Sequence, residues 1–270
     1  MAESTIVADS EMTEELQRIE AERADIDKEL QEALGAEKID KRYIESLKRK
    51  MDQLDNLAEI EDPAIKKKAL DILRNEDPVE HILSIYSRIH VGDVQIGKVL
   101  LLSIANQSVL NSEGLQPKLS GASGKGKTHA AKSMFHLIPD VGYKLEGSLS
   151  AKSMYYYPDL KPGTVIFSDD IRINADLEDT LKRAMSNFQQ PTRHRTVTRE
   201  GYAELEIPGR IAWWLTSVEN PYGDELLNRL FGLDVDDSVD QDEAVTKQQL
   251  ERAKYGDVAL PEDDDVKVCR

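Results

Sequence analysis

The chain has 270 residues, and its 35 basic and 51 acidic side chains give a formal net charge of −16 at pH 7. This length is sufficient for one substantial hydrophobic core and a second, smaller element. The single cysteine, Cys269, excludes a disulfide framework and a thiolate zinc site, and no apolar run reaches the ~20 residues of a membrane span, so we expect a cytoplasmic protein that does not contact membranes.

Residues 1–75 are rich in charged residues and predict two long helices that form a helical hairpin or a short coiled coil. The break between them is expected near Gly35. Because Arg23 interrupts the first apolar seam, ordinary amphipathic helices are the alternative to a coiled coil. The apolar positions are Leu16, Ile19, Ile26 and Leu30 in the first helix, and Ile44, Leu47, Met51, Leu54 and Leu57 in the second.

The next segment, residues 76–114, begins with a helix-start signal at Asp77 and Pro78. Residues 79–110 are apolar enough to form two helices that pack on each other and lead into the following domain.

Residues 119–130, LSGASGKGKTHA, contain the pattern G-x-x-x-x-G-K-[ST]. A predicted strand at 115–119 precedes it and a predicted helix at 128–137 follows, which is the context that a phosphate-binding P-loop requires. Glycines let backbone N–H groups at a helix N-terminus approach a phosphate closely. A flexible glycine-rich loop is the alternative. The predicted nucleotide-binding residues are Gly121, Ala122, Ser123, Gly124, Lys125, Gly126, Lys127 and Thr128.

Two side chains of this loop have specific predicted roles. The Lys127 ammonium would contact the β- and γ-phosphates of a nucleotide, and the Thr128 hydroxyl would bind Mg²⁺. From 115 to 240, short apolar runs alternate with helical patterns, which predicts an α/β domain with a parallel sheet.

Residues 164–167 predict a buried strand that ends in Ser168, Asp169 and Asp170. We expect this strand to neighbour the P-loop. A carboxylate at that position holds Mg²⁺, and a second one orients or deprotonates the attacking water. We assign Asp169 to the metal and Asp170 to the water; the alternative is a strand that simply ends in a polar turn.

Residues 194–207 alternate like a β-hairpin with its turn at Glu200 and Gly201. Basic residues cluster at its start and tip, either to bind DNA or as a solvated surface without a function. The predicted DNA-binding residues are Arg193, His194, Arg195 and Arg199.

Residues 211–217, IAWWLTS, predict a buried central strand that ends in Thr216 and Ser217, with Asn220 shortly after. Such polar groups can lie beside a γ-phosphate. Residues 224–235 predict a helix running into a strand, and Arg229 near the helix end is placed to reach the nucleotide of a neighbouring subunit.

Acidic residues concentrate at 234–243 and 262–265, and we expect a short helix and an acidic, solvated or disordered tail over 241–270. The net charge argues against a nucleic-acid partner, but because the acid is unevenly spread, a basic patch elsewhere remains available to DNA.

The order of these parts over residues 115–238 resembles the superfamily 3 helicases, AAA+-type ATPases of the papillomavirus replication helicase kind. The resemblance rests on the P-loop, the segment SAKSMYYYPDL, the acidic strand, TRHRT, LTS and LLNRL. It implies ATP and Mg²⁺ as ligands and a homo-oligomer, expected to be a hexameric ring with nucleotide between subunits. A looser similarity links residues 97–110 to ATPases of bacterial and archaeal mobile elements.

The resemblance also implies residue roles. Lys127 and Thr128 would bind phosphate and Mg²⁺, Asp169 and Asp170 would serve metal and water, and Arg229 would be the arginine finger. Arg193 and His194 would grip DNA in the central channel. The family has an asparagine directly after "TS", where this chain has Val218, so the γ-phosphate sensor is Thr216, Ser217 or Asn220. The N-terminal helices, with 76–114, would form a collar that holds the ring together.

The leading hypothesis is therefore an ATP-hydrolysing DNA helicase or translocase, acting on single-stranded DNA in replication or mobile-element processing. One alternative is an ATP-driven switch or loader that remodels a protein partner through the N-terminal helices. The other is a scaffold that binds nucleotide for stability.

Overall fold

The computed structural model describes residues 2–35, 44, 47–48, 51, 62–139, 143–147, 150–157, 160–170, 173–198, 201–217, 223–255 and 264–270. The chain divides into two compact units, residues 1–77 and 78–270.

The first unit contains a 34-residue helix, α1, Ala2–Gly35. It ends at the glycine where the sequence pattern breaks. Ile26 and Leu30 of α1 are buried against Ile44 and Leu47. The apolar faces predicted for the two helices thus contact each other at these four residues.

A second helix of this unit, α2, spans Pro63–Asn75. Its first turn is capped by Asp62, whose carboxylate accepts a hydrogen bond from the Ala64 N–H at 2.9 Å. An acidic N-cap followed by proline is a strong helix-start signal. The second helix predicted from the sequence is a different one, with apolar positions from Ile44 to Leu57. Its residues Leu54 and Leu57 lie outside the described residues.

Seven strands lie in the described residues of the second unit. These are β1 Pro117–Ser120, β2 Lys144–Glu146, β3 Val165–Ser168, β4 Thr192–Thr198, β5 Gly201–Ile207, β6 Ala212–Ser217 and β7 Phe231–Asp234. Five of them form a sheet in the order β2-β3-β6-β1-β7, with every pair parallel. Strands β4 and β5 form a separate antiparallel hairpin. The predicted α/β fold with a parallel sheet is confirmed.

Seven helices of this unit lie in the described part of the chain. They are α3 Pro78–Ile89, α4 Val94–Asn106, α5 Lys127–Phe135, α6 Ala175–Ser186, α7 Asp224–Leu227, α8 Val239–Tyr255 and α9 Asp264–Cys269. A short 3₁₀ turn covers Ser153–Tyr155. Among the described residues, no helix combines the length and the apolar character that crossing a membrane requires.

The sheet has a hydrophobic core on each face. Helices α3, α4 and α5 pack on one face, and α6 and α7 pack on the other. Trp214 belongs to the first core and Trp213 to the second, because successive side chains of a strand point to opposite faces. The Trp214 indole N–H donates to the Ser103 hydroxyl of α4 at 2.7 Å. The two helices predicted before the P-loop are thus part of the core that supports it.

The strand order corrects one expectation. The acidic strand β3 was expected beside the P-loop, but β6 lies between β1 and β3. The registers Leu119↔Thr216 and Ser168↔Leu215 align the carboxyl ends of the three strands. The polar residues at the end of β6 therefore lie between the carboxyl ends of β1 and β3.

The acidic segment at 234–243 is exposed, as expected, but it is ordered. It contains the last residue of β7 and the first turn of α8. The Asp236 N–H donates to the Asp93 carboxylate at 3.0 Å, so this segment is bound to the connection between α3 and α4.

The close approach of α3 and α4 gives a stability prediction. A Cβ added at Gly97 of α4 would lie 2.7 Å from the Tyr86 ring of α3. Because Gly97 and Tyr86 are both buried, Gly97→Ala is expected to lower the free energy of unfolding by about 1–3 kcal/mol through overpacking, although alanine is the better helix former. Urea denaturation measures this loss.

Gly232→Ala in β7 is the control, because no atom lies within 4 Å of its added Cβ. Equal stability of the two variants would contradict the described packing of α3 on α4.

Candidate nucleotide site

The loop between β1 and α5 depends on glycine at three positions. Gly121, Gly124 and Gly126 have φ angles of +143°, +81° and +91°, a region that residues with a Cβ rarely adopt. A Cβ at Gly121 would also lie 2.6 Å from a methyl group of Val235. The glycine pattern in the sequence thus reflects backbone conformations that this turn requires.

The P-loop lysine lies inside its own loop. Lys127 is 7% exposed, and its ammonium donates to the carbonyls of Gly121 at 2.8 Å and Ala122 at 2.9 Å. Gly126 precedes α5 without a side-chain cap, which leaves the first-turn N–H groups of α5 for a ligand. A positive charge and the N–H groups of a first helical turn, lying together at one helix N-terminus, form a site for phosphate groups.

One carboxylate oxygen of Asp169, next to this loop, accepts hydrogen bonds from two threonine hydroxyls. The Thr128 hydroxyl donates to Asp169 Oδ1 at 2.8 Å, and the Thr216 hydroxyl donates to the same oxygen at 2.5 Å. Thr128 belongs to α5, Asp169 follows β3, and Thr216 lies on β6. Three separate elements therefore meet at this oxygen.

Asp170 is held in an unusual backbone conformation. Its φ of +46° is in the left-handed region, which is uncommon for a residue other than glycine. Its N–H donates to the Thr216 hydroxyl oxygen at 3.0 Å. Because Thr216 bonds both acidic residues, it fixes the position of one relative to the other.

The three candidates for the γ-phosphate sensor differ in their position relative to the acidic pair. Thr216 contacts both acidic residues. Ser217 is 4% exposed, and within the described residues its hydroxyl has no hydrogen-bond partner. Asn220 lies outside the described residues. Thr216 is therefore the candidate that the structure brings into the site.

The same residues fit a magnesium ion. Mg²⁺ binds oxygen ligands and is typically held by one or two carboxylates together with substrate phosphates and water. The Asp169 carboxylate and the Thr128 hydroxyl, 2.8 Å apart, are oxygen donors next to the phosphate-binding turn. When bound, the ion would neutralise charge on the phosphate oxygens.

The hairpin β4–β5 divides the predicted DNA-binding residues. Arg193 lies 3.5 Å from Glu204, and Arg195 lies 3.0 Å from the same carboxylate. His194 points to the other face, where its ring contacts Tyr155 with centroids 5.1 Å apart. Arg199 lies outside the described residues. The two arginines thus share a face with carboxylates.

Arg229 follows α7 and is exposed. Its Nε donates to the Ser186 hydroxyl at the end of α6 at 2.7 Å, and its Nη1 donates to the Glu225 carbonyl. These bonds hold the guanidinium at the protein surface.

Sequence reasoning missed a contact between the P-loop and α8. The Lys125 ammonium lies 2.8 and 3.0 Å from the two carboxylate oxygens of Asp242. This hydrogen-bonded ion pair raises the pKa of Lys125. Lys125 was predicted only as one of the nucleotide-binding residues of the loop, and no local pattern links it to a carboxylate 117 positions away.

A histidine pair adjoins the same loop. The Nδ1 atoms of His90 and His129 lie 2.7 Å apart, so one ring must donate and the other accept. His90 Nε2 lies 3.0 Å from Asp93, and both side chains are buried. Burial, followed by the neighbouring His90 and Arg252, lowers the pKa of His129.

A family model described as "MTBMA_p00010 P-loop domain" matches residues 62–270. No curated protein matches the chain. The match covers the phosphate-binding loop, the parallel sheet and α8, and it indicates nucleotide binding by this unit.

The histidine pair gives a pH prediction. Because its pKa is lowered, His129 is expected to titrate below the ordinary value of about 6.5. The pH dependence of the NMR chemical shifts of its ring protons measures this titration. The unfolded chain then takes up this proton more readily, so the contribution of His129 to stability is present above pH ~6.5 and is lost as the pH falls through its folded pKa.

In the control, His90→Asn removes the neighbouring imidazole, and the His129 titration is expected to move towards the ordinary value. A wild-type titration at or above pH ~6.5 would contradict the described pairing.

Proposed function

The chain belongs to the MTBMA_p00010 P-loop domain family, and from that premise we propose that it is a magnesium-dependent ATPase that assembles as a ring and moves along DNA. The observation that carries the ATPase part is the Asp169 oxygen shared by Thr128 and Thr216. A lysine-containing P-loop and a carboxylate linked to its threonine are the parts that phosphoryl transfer requires.

Each side chain has a role in hydrolysis. Lys127 exchanges its bonds with the loop carbonyls for bonds with the β- and γ-phosphates. Asp169 and Thr128 hold the magnesium ion. Asp170 accepts a proton from the water that attacks the γ-phosphate in line, and Thr216 keeps this acid in position.

Ring assembly completes the site in this proposal. Arg229 is exposed, and its tethers to Ser186 and Glu225 leave part of the guanidinium for another ligand. A guanidinium supplied by the adjacent subunit stabilises the charge that develops on the transferred phosphoryl group.

Motion along DNA is assigned to the hairpin β4–β5. Its strand β4 carries Arg193, His194 and Arg195, and single-stranded DNA is the proposed ligand. Because phosphate contacts displace counterions, this binding weakens steeply with salt. The hairpin lies between β3 and β6 in the chain, which is the order of parts on which the resemblance to the helicase family rests.

A second candidate is an ATP-driven loader that remodels a protein partner. Arg193 and Arg195 are ion-paired with Glu204, and Arg193 also lies 3.7 Å from Glu206. These carboxylates, with the net charge of −16, oppose a phosphate backbone and favour a basic protein segment instead.

Nucleotide binding and hydrolysis are tested separately. Lys127→Ala is expected to weaken ATP binding by on the order of 100-fold, because a charged donor to the phosphates is lost. Asp170→Asn is expected to retain binding and lose hydrolysis by about 100-fold or more. Calorimetry and phosphate release measure the two effects.

Lys132→Ala is the matched control, since Lys132 lies on the same helix but pairs with Glu146 at 2.6 Å. Normal ATP affinity in Lys127→Ala would refute the P-loop assignment.

The DNA role is tested by stimulation of ATP hydrolysis. Single-stranded DNA is expected to raise the ATPase rate of the wild type, and the double variant Arg193→Ala/His194→Ala is expected to lose this increase while its rate without DNA is unchanged. Arg183→Ala is the control, because this arginine pairs with Asp179 on α6. Rates that ignore DNA in all three proteins would favour the protein loader, and no hydrolysis in any of them would favour a nucleotide-binding scaffold.

A further inference from the structure

A cavity of about 260 Å³ adjoins the P-loop on the side of α8. Gly124, Lys125 and Gly126 form one wall, and α8 forms the facing wall. Ligand pockets for complete drug-sized molecules occupy about 300–1,000 Å³. Because the phosphates of a nucleotide would lie in the loop itself, the cavity has the size for the remaining part, a base with its sugar.

The walls of the cavity suit a base. Gln241, Gln248 and Gln249 of α8 supply amide groups, Val245 supplies an apolar surface, and His129 supplies an aromatic ring. Amides present both donors and acceptors, which match the polar edge of a nucleobase, while apolar and ring surfaces contact its faces.

The backbone positions two of these amides. The Gln241 amide donates to the Val91 carbonyl at 2.6 Å, and the Gln248 amide donates to the Arg88 carbonyl at 3.4 Å. Both carbonyls belong to the end of α3 and the connection after it. The amide wall is therefore anchored to the residues that precede α4.

The first turn of α8 is tied to the P-loop at a second point. Lys125 bonds both carboxylate oxygens of Asp242, at 2.8 and 3.0 Å, and approaches the Asp237 carbonyl at 3.4 Å. Lys125 and Asp242 both line the cavity. Their ion pair connects the loop wall of the cavity to the helix wall.

We propose that the nucleoside end of the bound nucleotide occupies this cavity, and that the Lys125–Asp242 ion pair holds α8 over it and thereby sets how long the nucleotide stays bound. This inference rests on the proposed nucleotide-binding function. We call α8 together with this ion pair the clasp. Lys125, the residue that holds α8 in place, belongs to the P-loop itself. A nucleotide leaves when the pair separates and α8 moves away from the loop.

The clasp is tested by the dissociation rate of a fluorescent ADP derivative chased with unlabelled ATP. Asp242→Ala is expected to raise this rate about two- to fivefold, the range for an exposed ion pair. The control is Glu243→Ala, an exposed carboxylate on the same helix, which is expected to leave the rate unchanged. An Asp242→Ala rate equal to that of the wild type would overturn the clasp.

A double-variant cycle shows whether Lys125 acts through this pair. If it does, Asp242→Ala has little further effect on the dissociation rate in a Lys125→Ala background. If the two substitutions instead raise the dissociation rate independently, so that their effects multiply, the Lys125–Asp242 ion pair does not hold α8 in place.

The occupant of the cavity is tested with inorganic tripolyphosphate, which has no nucleoside. Val245→Trp, which fills the cavity, is expected to lower ATP affinity by about fivefold or more and to leave tripolyphosphate affinity unchanged. Leu250→Trp is the control, because Leu250 is 58% exposed on the same helix. Unchanged ATP affinity in Val245→Trp would overturn the cavity assignment.

These results remain distinguishable from failure of the proposed function. A wild type that binds neither ATP nor tripolyphosphate refutes nucleotide binding altogether. A wild type that binds both, with variants that behave as the wild type does, refutes only the clasp and the cavity.

Discussion

The hydrogen bonds to one carboxylate oxygen of Asp169 are the interaction on which the site depends. They join the P-loop helix through Thr128 and the strand β6 through Thr216. This meeting is possible only because β6 lies between β1 and β3 and all three are parallel, so that their carboxyl ends lie at one edge of the sheet. Sheet order, and not proximity in the chain, brings Thr128, Asp169 and Thr216 together.

The helices α3 and α4, which precede the P-loop in the chain, also help to position it. Tyr86 and Gly97 allow α3 and α4 to pack closely, and this pair buries the same face of the sheet as α5. The end of α3 then supplies His90, whose ring lies against Gly126 and the His129 imidazole. The packing of the core and the position of the nucleotide loop are therefore coupled through a few contacts.

Local patterns predicted the parts of the site that local physics determines. The glycine pattern lies in a turn before a helix, as predicted, and the structure adds that Gly121, Gly124 and Gly126 have positive φ angles. The run before Asp169 is a buried strand, as predicted. The insertion of β6 beside the P-loop, the bonds of Thr216 and the pairing of Lys125 with Asp242 depend on residues far apart in the chain. The hairpin register places glutamates opposite the arginines of β4, including Glu206 opposite Arg193. From the sequence, the basic residues of β4 are considered alone, because the sequence does not show which residues of the neighbouring strand face them.

The central claim is that Asp169 holds the magnesium ion that accompanies a nucleotide in the P-loop, and the magnesium dependence of ATP affinity measures it directly. Calorimetric titration with ATP, with and without Mg²⁺, compares the wild type with Asp169→Asn. The account predicts that Mg²⁺ strengthens ATP binding in the wild type and has little effect in the variant, whose amide is a weaker ligand for the ion. An equal gain from Mg²⁺ in both proteins would contradict it.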